Sequence, residues 1–173
     1  VGQILCQWAN AIGCTVIGTV GSKEKEAIAK NNGCHHVINY TDNNFVEEVE
    51  KIVGKNGIDV VYDGVGGAVS EESLRCVKFG ARFLIVGWAS TPFVAKGKGQ
   101  RGAPNANRLP TNLILIKGLK VLGSPMVIAT QNNPSIRAKR LAAIFQWVEE
   151  GKITPYISHT FSLADVKEAM RAK

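Results

Sequence analysis

Residues 14–25, CTVIGTVGSKEK, govern the reading of the whole chain. Cys14 to Thr19 is short, apolar and β-branched, the composition of a buried parallel strand. Gly21 and Ser22 break the run, and a helical pattern begins near Lys23. A strand that ends in a glycine turn and opens onto a helix presents free backbone N–H groups to an anion. In sheets that bind dinucleotides, the end of the second strand distinguishes the two nicotinamide cofactors. An acidic residue there accepts from the ribose 2′-hydroxyl, whereas basic and hydroxyl residues suit a 2′-phosphate. This strand end has no Asp or Glu but does have Thr19, Ser22, Lys23 and Lys25, which favours a phosphorylated ribose. Lysines at the start of an exposed helix are ordinarily solvated surface, and Lys23 alone is read either way. Two cations in the first turn oppose the helix dipole, a small cost that a bound phosphate would offset.

Outward from this stretch the pattern alternates. Val1 to Ile12 reads as a helix with Ile4, Leu5, Trp8, Ala9 and Ile12 on one face, stopped by Gly13. A chain that opens inside a helix, with neither cap nor start methionine, is expected to be a piece of a longer protein. Lys23 to Asn32 is a second helix closed by Gly33. Val37 to Asn39 is a short strand, and Asn43 or Asn44 caps a helix through Val53 with Phe45, Val46, Val49 and Ile52 inward. Ile58 to Tyr62 is the next strand and ends in Asp63-Gly64-Val65-Gly66-Gly67. A helix over 68–78 and a strand over Ala81 to Val86, closed by Gly87, complete the fourth β-α alternation. That rhythm predicts an α/β fold, a doubly wound parallel sheet with right-handed crossovers.

Residues 88–108, rich in Gly, Pro and Lys, have no period and read as a mobile or functional loop. A short helix over Leu109 to Gly118, a strand over Leu119 to Gly123 and a long helix from Pro134 or Ser135 to Glu150 follow. The tail is expected to hold a short strand near Tyr156 to Phe161 and a last helix over 162–172, with Ser162 as cap and Asp165 at its third position.

Composition narrows the class. The chain has 173 residues, 45% of them apolar and 20% charged, the proportions of a globular protein. No apolar run approaches the roughly 20 residues that cross a bilayer, and no signal peptide is recognised, so no membrane partner is expected. Cys6, Cys14, Cys34 and Cys76 lack C-x-x-C spacing and read as small buried residues in a reducing compartment, the cytoplasm. His35, His36 and His159 are not spaced as metal ligands. The net charge of +7 is uneven: twelve basic and no acidic residues lie between Ser73 and Val148. A nucleic-acid binder could show this bias. The basic residues are dispersed and few aromatics are interleaved as stacking platforms, so nucleic acid is the less favoured partner. An anionic cofactor, or an acidic partner domain, accounts for the bias equally well.

The strand ends GTVGSKEK, VINY, VVYDGVG and FLIVGWAS occur in an order that resembles the medium-chain dehydrogenase/reductase superfamily, above all its zinc-independent NADPH:quinone oxidoreductase branch. The resemblance runs from Val1 to Lys173. It implies a Rossmann-type sheet lacking its first strand, because of the family's GGVG-like phosphate loop only Val1 and Gly2 remain, with Gly2 as the last glycine. In the order 3-2-1-4-5-6 that strand is central, and its absence would expose an edge on each neighbour. The resemblance also implies an NADP-binding domain over 1–151, and a segment over 152–173 that returns to a catalytic domain not contained in this sequence.

Carried over to this chain, Ser22, Lys25 and Tyr40 stand where the family grips the adenosine 2′-phosphate, in agreement with the reading of residues 14–25. Gly64 and Val65 match the turn beside the adenosine and pyrophosphate, and Gly87 and Trp88 the turn toward the nicotinamide. Trp88 is equally readable as a packing aromatic. Asp63 is read as a structural hydrogen-bonding residue before a catalytic one. The implied activity is hydride transfer from NADPH to a small-molecule quinone, enone or related carbonyl compound, with no catalytic residue or metal ligand assigned here and no activity expected of this piece alone. A zinc alcohol dehydrogenase, or a non-catalytic relative that binds nucleotide or RNA, remain the alternatives. The segment around Leu119 to Gly123 resembles the edge strand through which relatives dimerise, so a homodimer is expected.

Overall fold

The computed structural model describes residues 2–41, 44–90 and 107–172. Its elements in chain order are α1 (Gly2–Ala11), β1 (Ile17–Val20), α2 (Lys23–Asn31), β2 (His36–Asn39), α3 (Phe45–Val53), β3 (Ile58–Asp63), α4 (Ala68–Cys76) and β4 (Val77–Ile85). There follow α5 (Thr111–Ile116), β5 (Lys120–Gly123), α6 (Met126–Asn132), α7 (Ser135–Glu149), a 3-10 turn (Leu163–Asp165) and α8 (Val166–Arg171). Every strand pair is parallel, and the alternation of strand and helix is that of a Rossmann-like α/β fold.

The strands form two sheets, β1-β2 and β3-β4-β5, and among the described residues no strand joins β1 to β3. The split falls where the order 3-2-1-4-5-6 has its central strand. Helix α3 holds the halves together. Its apolar residues recur at helical spacing, and Phe45 and Val49 are buried in one cluster with Ile38 of β2 and Cys76 of α4. Ile17 of β1, Ile58 of β3 and Val69 of α4 pack against the same cluster. The other face of β1 looks toward α1, since Gly18 lies against Cys34, whose sulfur contacts Cys6. On that side Trp8 of α1 stacks on Trp147 of α7 at 5.7 Å. Helices thus lie on opposite faces of the β1-β2 sheet, as in a doubly wound fold, whereas Val60 and Tyr62 of β3 are exposed on one face of the three-stranded sheet. Within the three-stranded half, Leu74 and Phe83 are fully buried, each contributing about 2–3 kcal/mol.

The register levels the strand ends that matter. Asp63 lies opposite Ile85, and Ile85 opposite Gly123, so the turns after β3, β4 and β5 open onto one rim. β4 starts at Val77 rather than near Ala81. Val77, fully buried, pairs with Ile58, and an irregularity between Ile58 and Val60 absorbs the extra residues around Gly80. α4 accordingly ends at Cys76.

Other departures have local causes. Helix α6 is an addition to the expected elements: Pro125 stands at its cap position without a side-chain cap bond, and Thr130 bonds back within it to the carbonyls of Met126 and Val127. Residues 156–161 do not form the expected strand: Tyr156 and Ile157 are exposed, and no strand among the described residues offers them a ladder. Ser162 Oγ donates to Asp165 Oδ2 at 2.8 Å instead of capping a backbone N–H, and the last helix begins as the 3-10 turn. At α3 the cap position is Asn44, whose amide donates to Glu47; Asn43 lies outside the described residues. The loop read over 88–108 is described only at 88–90 and 107–108; the remainder also lies outside. The tail starts docked on the body, with Ile153 buried and the Gln7 amide bonded to both Thr154 N and Thr154 O. Among the described residues, no helix is long and apolar enough to cross a membrane.

Candidate functional site

The rim beyond β1 and β2 is made by side chains. Ser22 sits at the N-cap position of α2 with an extended backbone, φ −160° and ψ 155°, yet its hydroxyl caps nothing. Its carbonyl accepts from Lys25 N at 3.2 Å, while Oγ is buried without any hydrogen-bond partner. A buried hydroxyl left unpaired costs about 1–3 kcal/mol, so a native chain ordinarily supplies a partner. Tyr40 follows β2, held by its N–H to Val20 O at 3.1 Å. Its hydroxyl lies directly over Gly21, where a Cβ would come within 2.7 Å of Oη. Gly21, Ser22 and Tyr40 are thus brought together at one strand end. Lys25 stands in the first turn of α2 with its side chain exposed, beside an equally exposed Lys23. Thr19 is exposed on the strand face opposite Gly18. Gly2 opens α1, and a Cβ built there would meet nothing within 4 Å, so its approach is clear.

The rim beyond β3 and β4 is made by backbone. Asp63 is buried, and its Oδ1 accepts from Val65 N at 2.9 Å and Gly66 N at 3.0 Å. Its Oδ2 accepts from the fully buried Ser70 hydroxyl. The carboxylate therefore folds the turn 63–67, in which Gly66 and Gly67 adopt φ of 80° and 64°, conformations that disfavour any side chain. A second turn is laced onto the first: Val86 N donates to Asp63 O, Ala89 N to Gly64 O and Ser90 N to Val65 O, at 2.8–3.0 Å. The approach is close enough that a Cβ at Gly87 would lie 3.1 Å from Gly64 O. Gly64, Val65, Gly87 and Trp88 consequently belong to one rigid piece. Trp88 is 48% exposed, so its ring is not packed away in the core.

Asn107 and Ser70 escape a sequence reading. Asn107 Oδ1 accepts from Gly67 N at 3.2 Å, pinning the far side of the turn, and its Nδ2 is buried and unpartnered. An asparagine at the end of an irregular stretch carries no signal of this role. Ser70 stands within the first turn of the helix that follows Asp63, but only the fold makes it the carboxylate's partner.

Two features belong elsewhere. A cleft of about 620 Å³ opens at the far ends of α1 and α2, beside Asn10, Lys30, Thr154 and Tyr156. Helix C-termini present carbonyls, so it is not a phosphate site, and it lies at the opposite end of α1 from Gly2. At the junction of α4 and β4, Lys117 Nζ donates to Asn56 Oδ1, Arg75 O and Val77 O; its desolvation pulls the ammonium's pKa down. That lysine ties elements together. As for metals, among the described residues no three His, Cys, Asp or Glu side chains converge. His35 is engaged as an acceptor from Val16 N at 3.0 Å, and His159 stacks on Phe161. These residues do not fit a zinc centre.

A parallel, doubly wound sheet with glycine turns on one rim and clear helix N-termini defines a Rossmann-like nucleotide-binding domain. A family model described as zinc-binding dehydrogenase matches residues 1–136, and the chain belongs to that family, within the medium-chain dehydrogenase/reductase superfamily. It is 31% identical over 160 residues to quinone oxidoreductase-like protein 2 of Bos taurus, covering 92% of this chain and 42% of that protein. It is 31% identical over 169 residues to a 2-haloacrylate reductase of a Burkholderia species, covering 98% of this chain and 47% of that protein. Among solved structures, that of Escherichia coli quinone oxidoreductase complexed with NADPH superposes with a TM-score of 0.72 at 29% identity, covering 91% of this chain and 44% of that one. The chain thus spans a little under half the length of these relatives.

Proposed function

We propose that this chain is the NADPH-binding part of an oxidoreductase that reduces a quinone, an enone or a related electrophilic carbonyl compound. The observation that carries the cofactor assignment is the buried, unpartnered Ser22 hydroxyl beside Gly21 and Tyr40, at a strand end whose residues 20–22 carry no carboxylate. Glu24 and Glu26 follow in the first turn of α2, interleaved with Lys23 and Lys25. Such a site offers hydroxyl donors to a phosphate and lacks the carboxylate that grips a bare ribose 2′-hydroxyl. The names of the relatives support reduction as the reaction: a haloacrylate reductase and quinone oxidoreductases, one of them complexed with NADPH.

When bound, NADPH supplies the hydride. This chain binds and orients. Ser22 and Tyr40 donate hydrogen bonds to the 2′-phosphate, and Lys25 adds charge from the first turn of α2. Thr19 lines the approach, and the N-terminus of α1 at Gly2 faces the pyrophosphate. Gly64 and Val65 let the dinucleotide lie against backbone, while Gly87 and Trp88 flank the nicotinamide half. Substrate binding and proton delivery fall to the remainder of the protein, so the described piece alone is expected to bind nucleotide without turnover. We place the protein in the cytoplasm. We also propose a homodimer through β5, which lies at the edge of its sheet and exposes Leu122. Leu122→Lys should halve the mass seen by sedimentation, and an unchanged mass would remove this edge from the assembly.

The deciding experiment is a calorimetric titration of the protein with 2′,5′-ADP and with 5′-AMP. Charge-assisted hydrogen bonds of about 1.5–3 kcal/mol predict a preference of more than tenfold for 2′,5′-ADP. Lys25→Ala should reduce that preference. Equal binding of the two nucleotides would overturn the NADPH assignment and favour a nucleotide- or RNA-binding relative.

A further inference from the structure

Away from the rim, two thiols face each other between α1 and the turn that enters β2. Cys34 Sγ donates to Cys6 Sγ at 3.2 Å, and both cysteines are free. The contact is built by the backbone on both sides. Gly33, at φ 90°, carries the chain against α1 so closely that a Cβ there would lie 3.2 Å from Cys6 O. Cys34 N is bonded to Ala29 O, and His35 N and His36 N to Val16 O, which fixes the residue behind its sulfur. On the third side Gly18 of β1 makes the room: any Cβ there would stand 2.7 Å from Cys34 Sγ. A disulfide needs sulfurs about 2.05 Å apart, so closure asks each side chain to move by well under 1 Å.

We propose that Cys6 and Cys34 form an oxidation site at which a hydroperoxide converts the dithiol to an intramolecular disulfide. Cys6, half-buried where Cys34 is buried, is the attacking residue. The hydrogen bond from Cys34 stabilises its thiolate and brings the Cys6 thiol down to about 7, against the opposing effect of burial. The Cys6 thiolate attacks one peroxide oxygen; the O–O bond breaks, giving Cys6–SOH and a hydroxide or alkoxide that is protonated as it leaves. Cys34 sulfur then attacks the Cys6 sulfur, the S–O bond breaks, and the departing hydroxide takes the Cys34 proton as water. Two thiols are oxidised by two electrons, and one hydroperoxide is reduced to water or to an alcohol and water. This chemistry does not depend on the nucleotide site.

The test treats the protein with hydrogen peroxide, blocks residual thiols with iodoacetamide and maps tryptic peptides by mass spectrometry. The expected product is one cross-link, 2 Da lighter than the dithiol, joining the peptide that holds Cys6 to the peptide that holds Cys34. It should form about tenfold or more faster than any bridge to Cys14 or Cys76, because only this pair is pre-positioned. Cys14→Ser separates the two cysteines of the first peptide and should leave the cross-link intact. In Cys34→Ala the Cys6 sulfenic acid should persist long enough to be trapped by dimedone. Cross-linking through Cys14, disulfide-bonded dimers, or oxidation of both thiols without a bridge would each overturn the proposal, as would full alkylation of Cys6 after peroxide.

Discussion

The β1-β2 half and the β3-β4-β5 half present the same strand-turn-helix unit in two ways. Beyond β1 the chain offers side chains whose hydrogen bonds are unspent, above all the Ser22 hydroxyl. Beyond β3 it offers a turn whose hydrogen bonds are already made, by Asp63 from within and by residues 86–90 from outside. The first half is suited to choose between ligands by chemistry, since a free donor rewards the ligand that satisfies it. The second is suited to admit a ligand by shape, since its groups gain nothing from rearranging.

That contrast can be broken most severely at Asp63. Asp63→Ala strips acceptors from two backbone N–H groups and from a fully buried hydroxyl, at about 1 kcal/mol each. A loss of about 3 kcal/mol in urea unfolding is expected; a loss below about 1 kcal/mol would mean the turn is held by its glycines alone. Next come matched glycine substitutions. Gly66→Ala places a Cβ at φ 80° and 3.1 Å from the Trp88 backbone, and should cost about 2 kcal/mol. Gly21→Ala meets only the end of the Tyr40 side chain, which can swing, so under about 1 kcal/mol is expected. Equal costs would erase the distinction between the rigid rim and the adaptable one.

Ser22→Ala sharpens the comparison from the other side. It removes a hydroxyl that bonds nothing in the free protein, so the unfolding midpoint should hold, while affinity for 2′,5′-ADP falls about tenfold in calorimetry. Loss of stability with unchanged affinity would make Ser22 a structural residue. The mildest contrast is in the thiols and needs no mutation. Alkylation consumes thiolate, whose fraction rises with pH through the pKa. Cys6, with a pKa lowered to about 7, should therefore show its alkylation rate climbing through neutral pH. Cys76, in the other half, is pushed up to about 11 by burial and should stay unreactive until strongly alkaline solution. Matching pH profiles would show that the Cys6–Cys34 contact does not exist in solution.

Much of this molecule is legible from local pattern. The strand that ends at Val20, its glycine turn, the amphipathic helix of Phe45 and Val49, and the absence of a carboxylate from residues 20–22 follow from periodicity and residue type, because each depends on neighbours only a few positions away. The strand itself starts at Ile17 rather than Cys14, which is exposed instead of buried. Ser22, Lys25 and Tyr40 are readable as a group only through resemblance, since Tyr40 reaches Gly21 and its neighbour Ser22 across a strand pair. Tertiary structure alone decided the rest. It set Ser22 Oγ free while Asp63 Oδ2 was satisfied, though a serine stands close by in sequence at both turns. It drew β4 back to Val77 for a partner in Ile58, left 156–161 without a strand to pair with, and placed Asn107 on Gly67. It set Cys6 against Cys34 through the two glycines that clear their path. Apart from the Asp63–Ser70 pair, seven positions apart, the deciding quantity is a contact, made or missing, between groups distant in sequence, and pairing, burial and hydrogen-bond satisfaction are properties of such contacts rather than of the residues themselves.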